Sequence, residues 1–240
     1  MKKAKSCLKP EETRGIYPGG FKIKFRIAAD LVNVYGIAYF LKKILPWHLR
    51  RQYEIFFHPL ENIAPAIAGP GEPPFRLARA AEKDFRHIMN LRPGYYTPDQ
   101  LAARFALGHI CFLGWSGDQP VHVRWVFTSS IFVPYIKRRL ALAPGEVYID
   151  EGFMAPSFRG HGLFFLAGNL LRQELKKMGY RYYTCAIASW HRIRLAMAEK
   201  SGLCRVGRIR YWNFPWSGRV ELSGSVRDLG QGKVVIDVRP

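Results

Sequence analysis

A basic, glycine-punctuated segment, residues 154–164 (Met-Ala-Pro-Ser-Phe-Arg-Gly-His-Gly-Leu-Phe), carries the residue types of a diphosphate-binding turn. Gly160 and Gly162 let the backbone turn tightly, so that successive amide N–H groups can converge on one anion. Arg159 and His161 add side-chain donors beside those amides. A helix predicted to follow adds unpaired amides and the positive end of its dipole. The segment therefore predicts a site for a phosphate-bearing ligand.

Two common phosphate-binding motifs do not match this segment. It lacks the Lys-Ser/Thr ending of a nucleoside-triphosphate P-loop, and it has one glycine too few for the dinucleotide fingerprint. An ordinary tight turn uses the same residues, and on the loop alone this alternative stays open.

Strands and helices are predicted on both sides of the turn. Residues 147–153 have the pattern of a strand leading into it, and residues 163–178 that of a helix leaving it. Residues 180–187 are rich in aromatic and β-branched side chains, which indicates the next strand. Residues 189–201 then predict a helix, closed by Gly202 at its C′ position.

The sequence resembles the GNAT (N-acetyltransferase) superfamily of acyltransferases. The acyl-coenzyme A loop of that family, Arg/Gln-x-x-Gly-x-Gly/Ala, matches residues 159–164 in all but Phe164. Residues 147–156 are similar to the family's central strand, which ends in a proline. Residues 199–203, Glu-Lys-Ser-Gly-Leu, are similar to the ending Tyr-Glu-Lys-Leu-Gly-Phe. The resemblance covers about residues 75–213.

The resemblance implies a fold and an activity. The fold is α/β, the GNAT acyl-CoA N-acyltransferase fold: a mixed, twisted sheet with helices on both faces, here with an N-terminal helical extension. Two parallel strands splay apart and hold the thioester, and they correspond here to residues 147–154 and 180–187. The activity is transfer of an acyl group from acetyl-CoA or another acyl-CoA to a small amine acceptor by direct attack, without a metal.

The resemblance also implies which residues hold the acyl-coenzyme A. Backbone groups at the end of the central strand bind the pantetheine arm, the loop binds the diphosphate, and a residue at the start of the last helix contacts the arm. The implied cofactor-binding residues are Phe153, Met154, Arg159, Gly160, His161, Gly162, Leu163, Phe164 and His191. The backbone N–H of Met154 is the implied oxyanion donor, at a strand bulge where a ladder partner is missing.

Asp150 and Glu151 are the candidates for the general base. They are adjacent, so strand alternation sends them to opposite faces, and at most one is expected to look into the cleft. Glu151 ranks first, because many family members place an acidic residue three positions before the oxyanion donor. The alternative, that both are strand-end charges paired with nearby arginines, stays open.

The general acid has no clear candidate. Family members commonly carry a tyrosine four residues before the closing glycine, and Ala198 stands there. Either Tyr182, Tyr183 or His191 protonates the thiolate, or coenzyme A leaves unaided. A non-catalytic descendant of the fold is therefore an alternative to an enzyme.

The chain of 240 residues has a formal net charge of +19, which falls mainly in two clusters. Residues 159–210 hold 11 basic and 2 acidic side chains, a field that attracts a polyanionic cofactor. Residues 1–53 hold 12 and 3, and this cluster could face anionic phospholipid, nucleic acid, an acidic carrier protein or solvent. Nucleic-acid binding is disfavoured, because most aromatic residues lie in strand and helix patterns that need them for a core.

Three domains or segments are predicted. Residues 1–74 form a basic tail, an apolar helix and a Pro-rich linker, residues 75–215 the GNAT-like domain, and residues 216–240 a C-terminal β-hairpin extension. The uncharged apolar run, residues 31–41, has about half the ~20 residues needed to span a bilayer. We expect it to pack on the domain; the alternative is peripheral membrane contact through residues 22–51, with long-chain acyl transfer at the membrane surface.

The four cysteines have no paired spacing, so neither a zinc site nor a disulfide framework is indicated. This favours a cytoplasmic location. Association of the protein with the inner face of a membrane is an alternative that stays open. The acceptor pocket is expected around residues 92–96 and 127–135, whose side chains favour no one class of amine. The remaining predicted elements are a strand at 75–80, a helix at 82–91, a helix opened by a capping box at Thr97–Gln100, a hairpin of 109–115 and 121–128, a basic connection at 131–142, and a C-terminal hairpin of 220–226 and 234–238.

Overall fold

The computed structural model describes residues 32–33, 36–39, 50–61, 63, 74–133, 138–213 and 218–237. Their strands are β1 (Arg50–Pro59), β2 (Phe75–Arg79), β3 (Ile110–Ser116), β4 (Gln119–Phe127), β5 (Ile131–Val133), β6 (Arg138–Ala141), β7 (Glu146–Met154), β8 (Tyr182–Ala188), β9 (Cys204–Asn213), β10 (Gly218–Gly224), β11 (Val226–Gly230) and β12 (Lys233–Ile236). Their longer helices are α1 (Phe85–Leu91), α2 (Pro98–Ala106), α3 (Leu163–Lys177) and α4 (Arg192–Lys200).

The strands form two mixed sheets. The larger has eight strands in the order β10-β9-β1-β8-β7-β4-β3-β2, and its one parallel neighbour pair is β7 with β8. The smaller has the order β11-β12-β6-β5, with β12 parallel to β6. The smaller sheet packs on the same core as the larger, through Val133, Leu140, Val226, Val234 and Ile236.

Helices cover both faces of the large sheet. Strand alternation sends Cys111 and Leu113 to one face, where they pack with Ile88 of α1 and Leu101 of α2. Phe112 points to the other face and packs with residues of α3. The predicted mixed α/β fold, with helices on both faces of the sheet, is confirmed.

Several local predictions are confirmed at the level of single hydrogen bonds. The amide of Gln100 donates to Thr97 Oγ1 (3.3 Å), and the amide of Thr97 donates to Gln100 Oε1 (3.1 Å), which is the expected capping box. Gly202 has φ +76° after α4, as a C′ residue requires. Each of these features depends on residues within a few positions of one another, so it can be predicted without the tertiary structure.

Strand β1 was not predicted, although it lies between β8 and β9 within the large sheet. Its residues fall in the segment interpreted as tail, helix and linker. Its polar residue Glu54 does not fit the apolar pattern expected of a buried strand. Glu54 is 3% exposed and accepts a hydrogen bond from Arg208 Nε of β9 (2.9 Å). A buried carboxylate is tolerated when it is paired, and this partner is far away in the sequence.

The chain ends also differ from expectation. The C-terminal hairpin consists of β11 and β12 around Gly230-Gln231-Gly232, whereas β10, expected to be its first strand, pairs with β9 instead. Of the predicted apolar helix, the structure describes residues 32–33 and 36–39 only. The Tyr39 hydroxyl there donates to the carbonyl of Trp190 (2.7 Å), which favours packing on the domain. No helix in the described ranges has the length and apolarity to cross a membrane.

Because β1 belongs to the core, Ile55→Ala is expected to lower the free energy of unfolding by about 2–5 kcal/mol, as burial of Ile55 (1% exposed) is lost. Ile193→Ala is the control, because Ile193 is 49% exposed and its loss is expected to change stability by about 0.5 kcal/mol or less. Urea unfolding measures both. Equal, small effects would show that β1 is not part of the core.

Candidate active site

β7 and β8 pair over only part of their length. Glu146 pairs with Tyr182, Val147 with Tyr183, and Tyr148 with Thr184, and no pairing between the two strands follows. The strands are nine and seven residues long, so both continue beyond the last pair. β8 remains paired with β1 on its other side. The two central strands therefore diverge, as the resemblance implied.

A cavity of about 710 Å³, counted with the solvent at its mouth, occupies the opening. It reaches Tyr183, at the closed end where the strands still pair, and Gly152 and Ile187 nearer the open end. Helices α3 and α4 supply its other walls. Those helix residues are Phe164, Gly168 and Arg172 from α3, and Arg194, Met197 and Ala198 from α4.

The strand bulge lies at Glu151 and Gly152, and its predicted position at Met154 is wrong. The register between β4 and β7 shifts between Val123 and Trp125, and Glu151 has φ +53°. At the bulge, the glycine at position 152 leaves space for the Arg124 side chain, since a Cβ on Gly152 would lie 2.7 Å from Arg124 Nη2. A side chain at position 152 would collide with that guanidinium.

The backbone of Met154 nevertheless faces the opening. Met154 pairs with His122, and the next amide, that of Ala155, donates to the carbonyl of Val121 (2.8 Å). This pattern makes Met154 and His122 a non-hydrogen-bonded pair, whose N–H and C=O groups point away from the partner strand. The Met154 N–H therefore points to the side where β8 has diverged. Its side chain is buried with Leu163.

The loop after β7 presents a set of backbone amides. Gly160 (φ +87°) and Gly162 (φ +72°) adopt the left-handed conformation, and Gly162 precedes α3 without a side-chain cap. In the described part of the chain, no acceptor is recorded for the amides of residues 160–164. Residues 159–162 are exposed. The amides are therefore open to a ligand, and the helix dipole adds positive potential there.

Several side chains of the loop contact other parts of the protein. Arg159 Nε donates to the carbonyl of Met154 (3.1 Å), so this guanidinium folds back onto the end of β7. Leu163 is buried. Phe164 lies against His122, with ring centroids 5.7 Å apart. Of the predicted loop residues, Arg159 and His161 have exposed polar side chains, and that of Arg159 already has a backbone acceptor.

His191 occupies the start of α4 but does not line the cavity. Its ring stacks on that of Trp190, with centroids 5.0 Å apart. Burial, followed by the nearby charge of Arg194, lowers the pKa of His191 to about 3. The ring is therefore neutral at physiological pH.

Glu151 forms a buried ion pair. Its Oε1 accepts from Arg104 Nη2 (2.8 Å) and its Oε2 from Arg104 Nη1 (3.0 Å), and the Tyr96 hydroxyl also donates to Oε2 (2.7 Å). Both side chains of the pair are buried, with exposures of 0% for Arg104 and 6% for Glu151. Three donors thus bind this carboxylate and fix the bulge to helix α2.

Asp150 lies on the same side of the sheet as Glu151, contrary to the prediction of opposite faces. Burial is the main cause that raises the pKa of Tyr95 to about 12, and the charges of Glu151 and Asp150 both add to it. Tyr148 packs with Ile88 and Leu101, so strand alternation places Asp150, two residues on, on the side of α1 and α2, where Glu151 binds Arg104. The bulge explains this, because an extra residue interrupts the alternation of side chains. Asp150 Oδ1 accepts from the amide of Glu151 (2.7 Å), and Asp150 lines the cavity.

Of the three candidates for the general acid, one lines the cavity and two do not. Ala198, at the position where the family often has tyrosine, lines the cavity. Tyr183 also lines it, and burial raises the pKa of its hydroxyl. Tyr182 and His191 do not line it. Cys185 does, but burial raises the pKa of its thiol to about 12, so it is no thiolate at neutral pH.

Two arginines of the cavity, Arg124 and Arg172, were not predicted from the sequence. For Arg124, a signal was present: it interrupts the apolar run of β4, residues 121–127. No group of three or more His, Cys, Asp or Glu residues that could hold a metal occurs among the described residues.

The solved structures that this chain resembles are mainly GNAT acetyltransferases. A GCN5-related N-acetyltransferase from Sphaerobacter thermophilus shares 12% identity, with a TM-score of 0.46 over 76% of this chain and 55% of that one. A glucosamine-6-phosphate N-acetyltransferase from Arabidopsis thaliana shares 16%, with a TM-score of 0.41 over 55% and 92%. A Drosophila protein shares 14%, with a TM-score of 0.45 over 67% and 50%.

This chain therefore spans about half the length of the Sphaerobacter and Drosophila proteins. With TM-scores below 0.5, these are partial similarities, and no substrate or acceptor is transferred from them. No protein-family model matches the sequence, and no curated protein matches it.

Glu151→Gln is expected to lower the free energy of unfolding by about 3–5 kcal/mol, because Arg104 would remain buried without its counter-charge. Glu174→Gln is the matched control, since Glu174 forms an exposed ion pair with Lys177 (2.7 Å) that contributes about 0.5 kcal/mol or less. Urea unfolding of both variants at one ionic strength tests the difference. A cost for Glu151→Gln as small as that of the control would contradict the buried-pair account.

Proposed function

We propose that this protein transfers an acyl group from acyl-coenzyme A to the amine of a small acceptor. The observation that carries the proposal is the divergence of β7 from β8 after three paired positions, next to a loop whose amides are open. An extended thioester needs a slot between strands for its arm, and its diphosphate needs converging donors at one end of that slot. The two features adjoin at Met154.

In the proposed complex, the amides of residues 160–164 bind the diphosphate and the pantetheine arm enters the opening. The Met154 N–H, directed into that opening, donates to the thioester carbonyl. As the amine attacks, the carbonyl oxygen gains negative charge, and a fixed backbone donor stabilises it without reorganisation. Met154 is thus the proposed oxyanion donor through its backbone alone.

We assign the base to Asp150 and a positioning role to Glu151. Both carboxylates line the cavity, and that of Glu151 is bound by Arg104 and Tyr96. The amine nitrogen forms a bond to the thioester carbon, Asp150 accepts the proton from that nitrogen, and the C–S bond breaks. The thiolate leaves with no acid required, in keeping with Ala198 in the wall.

The acceptor is proposed to approach on the side of α1 and α2. Tyr95 lies there near both carboxylates, and the Arg92 guanidinium lies 3.2 Å from the centroid of the Tyr95 ring and 5.1 Å from that of Phe153. The Asp150 carboxylate and an aromatic wall suit a protonated amine, which must lose a proton before it attacks. This side corresponds to the expected acceptor region at residues 92–96.

The proposal predicts that the protein binds coenzyme A and that Gly160→Ala weakens this binding at least about tenfold. Alanine at φ +87° is strained, so the loop would shift and its amides would no longer converge. Gly179→Ala is the matched control, with φ +85° and no neighbour within 4 Å, at the other end of α3. Isothermal calorimetry measures both affinities, and thermal unfolding confirms equal strain. No binding by the wild-type protein, or equal loss in both variants, would contradict the site.

Asp150→Asn is expected to lower kcat by about 10²–10⁴-fold with little change in coenzyme A affinity, because the base is lost and the loop is intact. The assay is release of thiol from acetyl-CoA or another acyl-CoA, with the amine from a panel that supports the fastest release. Asp118→Asn, in the exposed turn between β3 and β4, is the control. Activity of Asp150→Asn equal to that of the control would remove Asp150 from the mechanism.

A further inference from the structure

Three arginines line the cavity between the diverging strands: Arg124 of β4, Arg172 of α3 and Arg194 of α4. We refer to these three residues as the arginine cleft. Backbone amides suffice to bind the neutral parts of a pantetheine arm, and nothing in direct attack of an amine on a thioester requires cations there. The arginine cleft therefore needs a separate explanation.

Arg124 is the central member of the arginine cleft. No carboxylate lies within 4.0 Å of it, and no hydrogen-bond acceptor is recorded for its guanidinium, among the residues that the structure describes. Its Nε is inaccessible to solvent. Burial, then the like charge of Arg194, lowers the pKa of Arg124 to about 10. The protein thus keeps a cation in a place that disfavours one.

The fold holds Arg124 in this position from two sides. The Phe164 ring lies 4.5 Å from the guanidinium carbon, and the absence of a side chain at Gly152 leaves the space that the guanidinium fills. Specific contacts therefore place Arg124 in the lining of the cavity. Such an arrangement is costly unless an anion completes it.

The other two arginines have neutral partners. Arg172 donates to the carbonyl of Ser201 (2.7 Å), to Asn169 and to His58, and its buried Nε has no acceptor within the described ranges. Arg194 donates to the carbonyl of Gly152 (2.6 Å). These contacts orient both side chains.

Other arginines of this protein have carboxylates beside them. Arg104 pairs with Glu151, and Arg208 pairs with Glu54 (2.9 Å). Asp150 and Glu151 also line the cavity, but neither carboxylate lies within 4.0 Å of Arg124, and the oxygens of Glu151 are bound by Arg104 and Tyr96. The contrast indicates that the counter-charge of Arg124 comes from a ligand.

We propose that the arginine cleft binds a carboxylate at the far end of the acyl group, so that the preferred donor is the coenzyme A thioester of a dicarboxylic acid. The inference rests on the proposed acyl transfer. The cavity runs from Gly152, two residues before Met154, to Tyr183, where β7 and β8 still pair, so it has a closed end on the side away from the loop. A guanidinium presents a planar fork that fits a carboxylate in two hydrogen bonds.

A phosphate group of the coenzyme itself is the other source of the same anionic chemistry. The two sources differ in one consequence. A carboxylate site discriminates between acyl groups on one coenzyme, whereas a phosphate site raises the affinity of every coenzyme A ligand equally. Two thioesters that match in chain length and differ in the terminal group therefore separate them.

The experiment measures binding of succinyl-CoA, butyryl-CoA and free coenzyme A to the full chain by calorimetry. For the wild-type protein, succinyl-CoA is expected to bind at least about tenfold more tightly than butyryl-CoA. Arg124→Met, close in size and uncharged, is expected to reduce that ratio to about one. Arg124→Lys keeps the charge without the fork, and its ratio is expected to fall between the two. Thermal unfolding and circular dichroism establish that both variants fold.

Two results would overturn the inference: equal binding of the two thioesters by the wild-type protein, or a uniform loss for all three ligands in Arg124→Met. If coenzyme A and its thioesters all fail to bind, the proposed acyl transfer falls separately. Succinate and butyrate without coenzyme, compared by thermal shift, then decide the anion site. A stabilisation by succinate alone that disappears in Arg124→Met supports it, and no stabilisation overturns it.

Discussion

The loss of pairing between β7 and β8 after Tyr148 is the constraint on which the site depends. A paired strand would use the outward N–H of Met154 in its ladder, and an unpaired one offers that N–H to a ligand. The bulge at Glu151 keeps β7 on the path that diverges from β8. It is held on one face by Arg104 and on the other by the Arg124 side chain that fills the space beside Gly152. The two faces of the sheet thus support one opening.

Charge is divided between the two sides of that opening. On the side of α1 and α2, Glu151 is paired with Arg104, and the Asp150 carboxylate between Tyr95 and the cavity suits an amine. On the side of α3 and α4, three arginines line the cavity beneath a loop of open amides, which suits an anion. Donor and acceptor of opposite charge would therefore be drawn to opposite sides of one bulge, where the reacting atoms meet.

Features encoded by neighbouring residues were predictable from the sequence. The turn at Gly160 and Gly162, the capping box at Thr97 and the strand ending at Met154 each depend on a few adjacent residues. Features that depend on distant partners were not. Glu151 is bound by Arg104, 47 positions away, and Glu54 by Arg208, 154 positions away. Neither the role of Glu151 nor the strand β1 could therefore be predicted from the sequence. The bulge was misplaced for the same reason, since it depends on the register of β7 against β4, a strand distant in the sequence.

The most direct test of the central claim is an amide-resolved NMR titration of the protein with coenzyme A. The account predicts large shifts for the amides of Met154 and residues 160–164, which face the opening and the loop, and none for those of β9 and β10 at the far edge of the sheet. Shifts at saturating coenzyme A confined to other parts of the chain, or none at all, would contradict it.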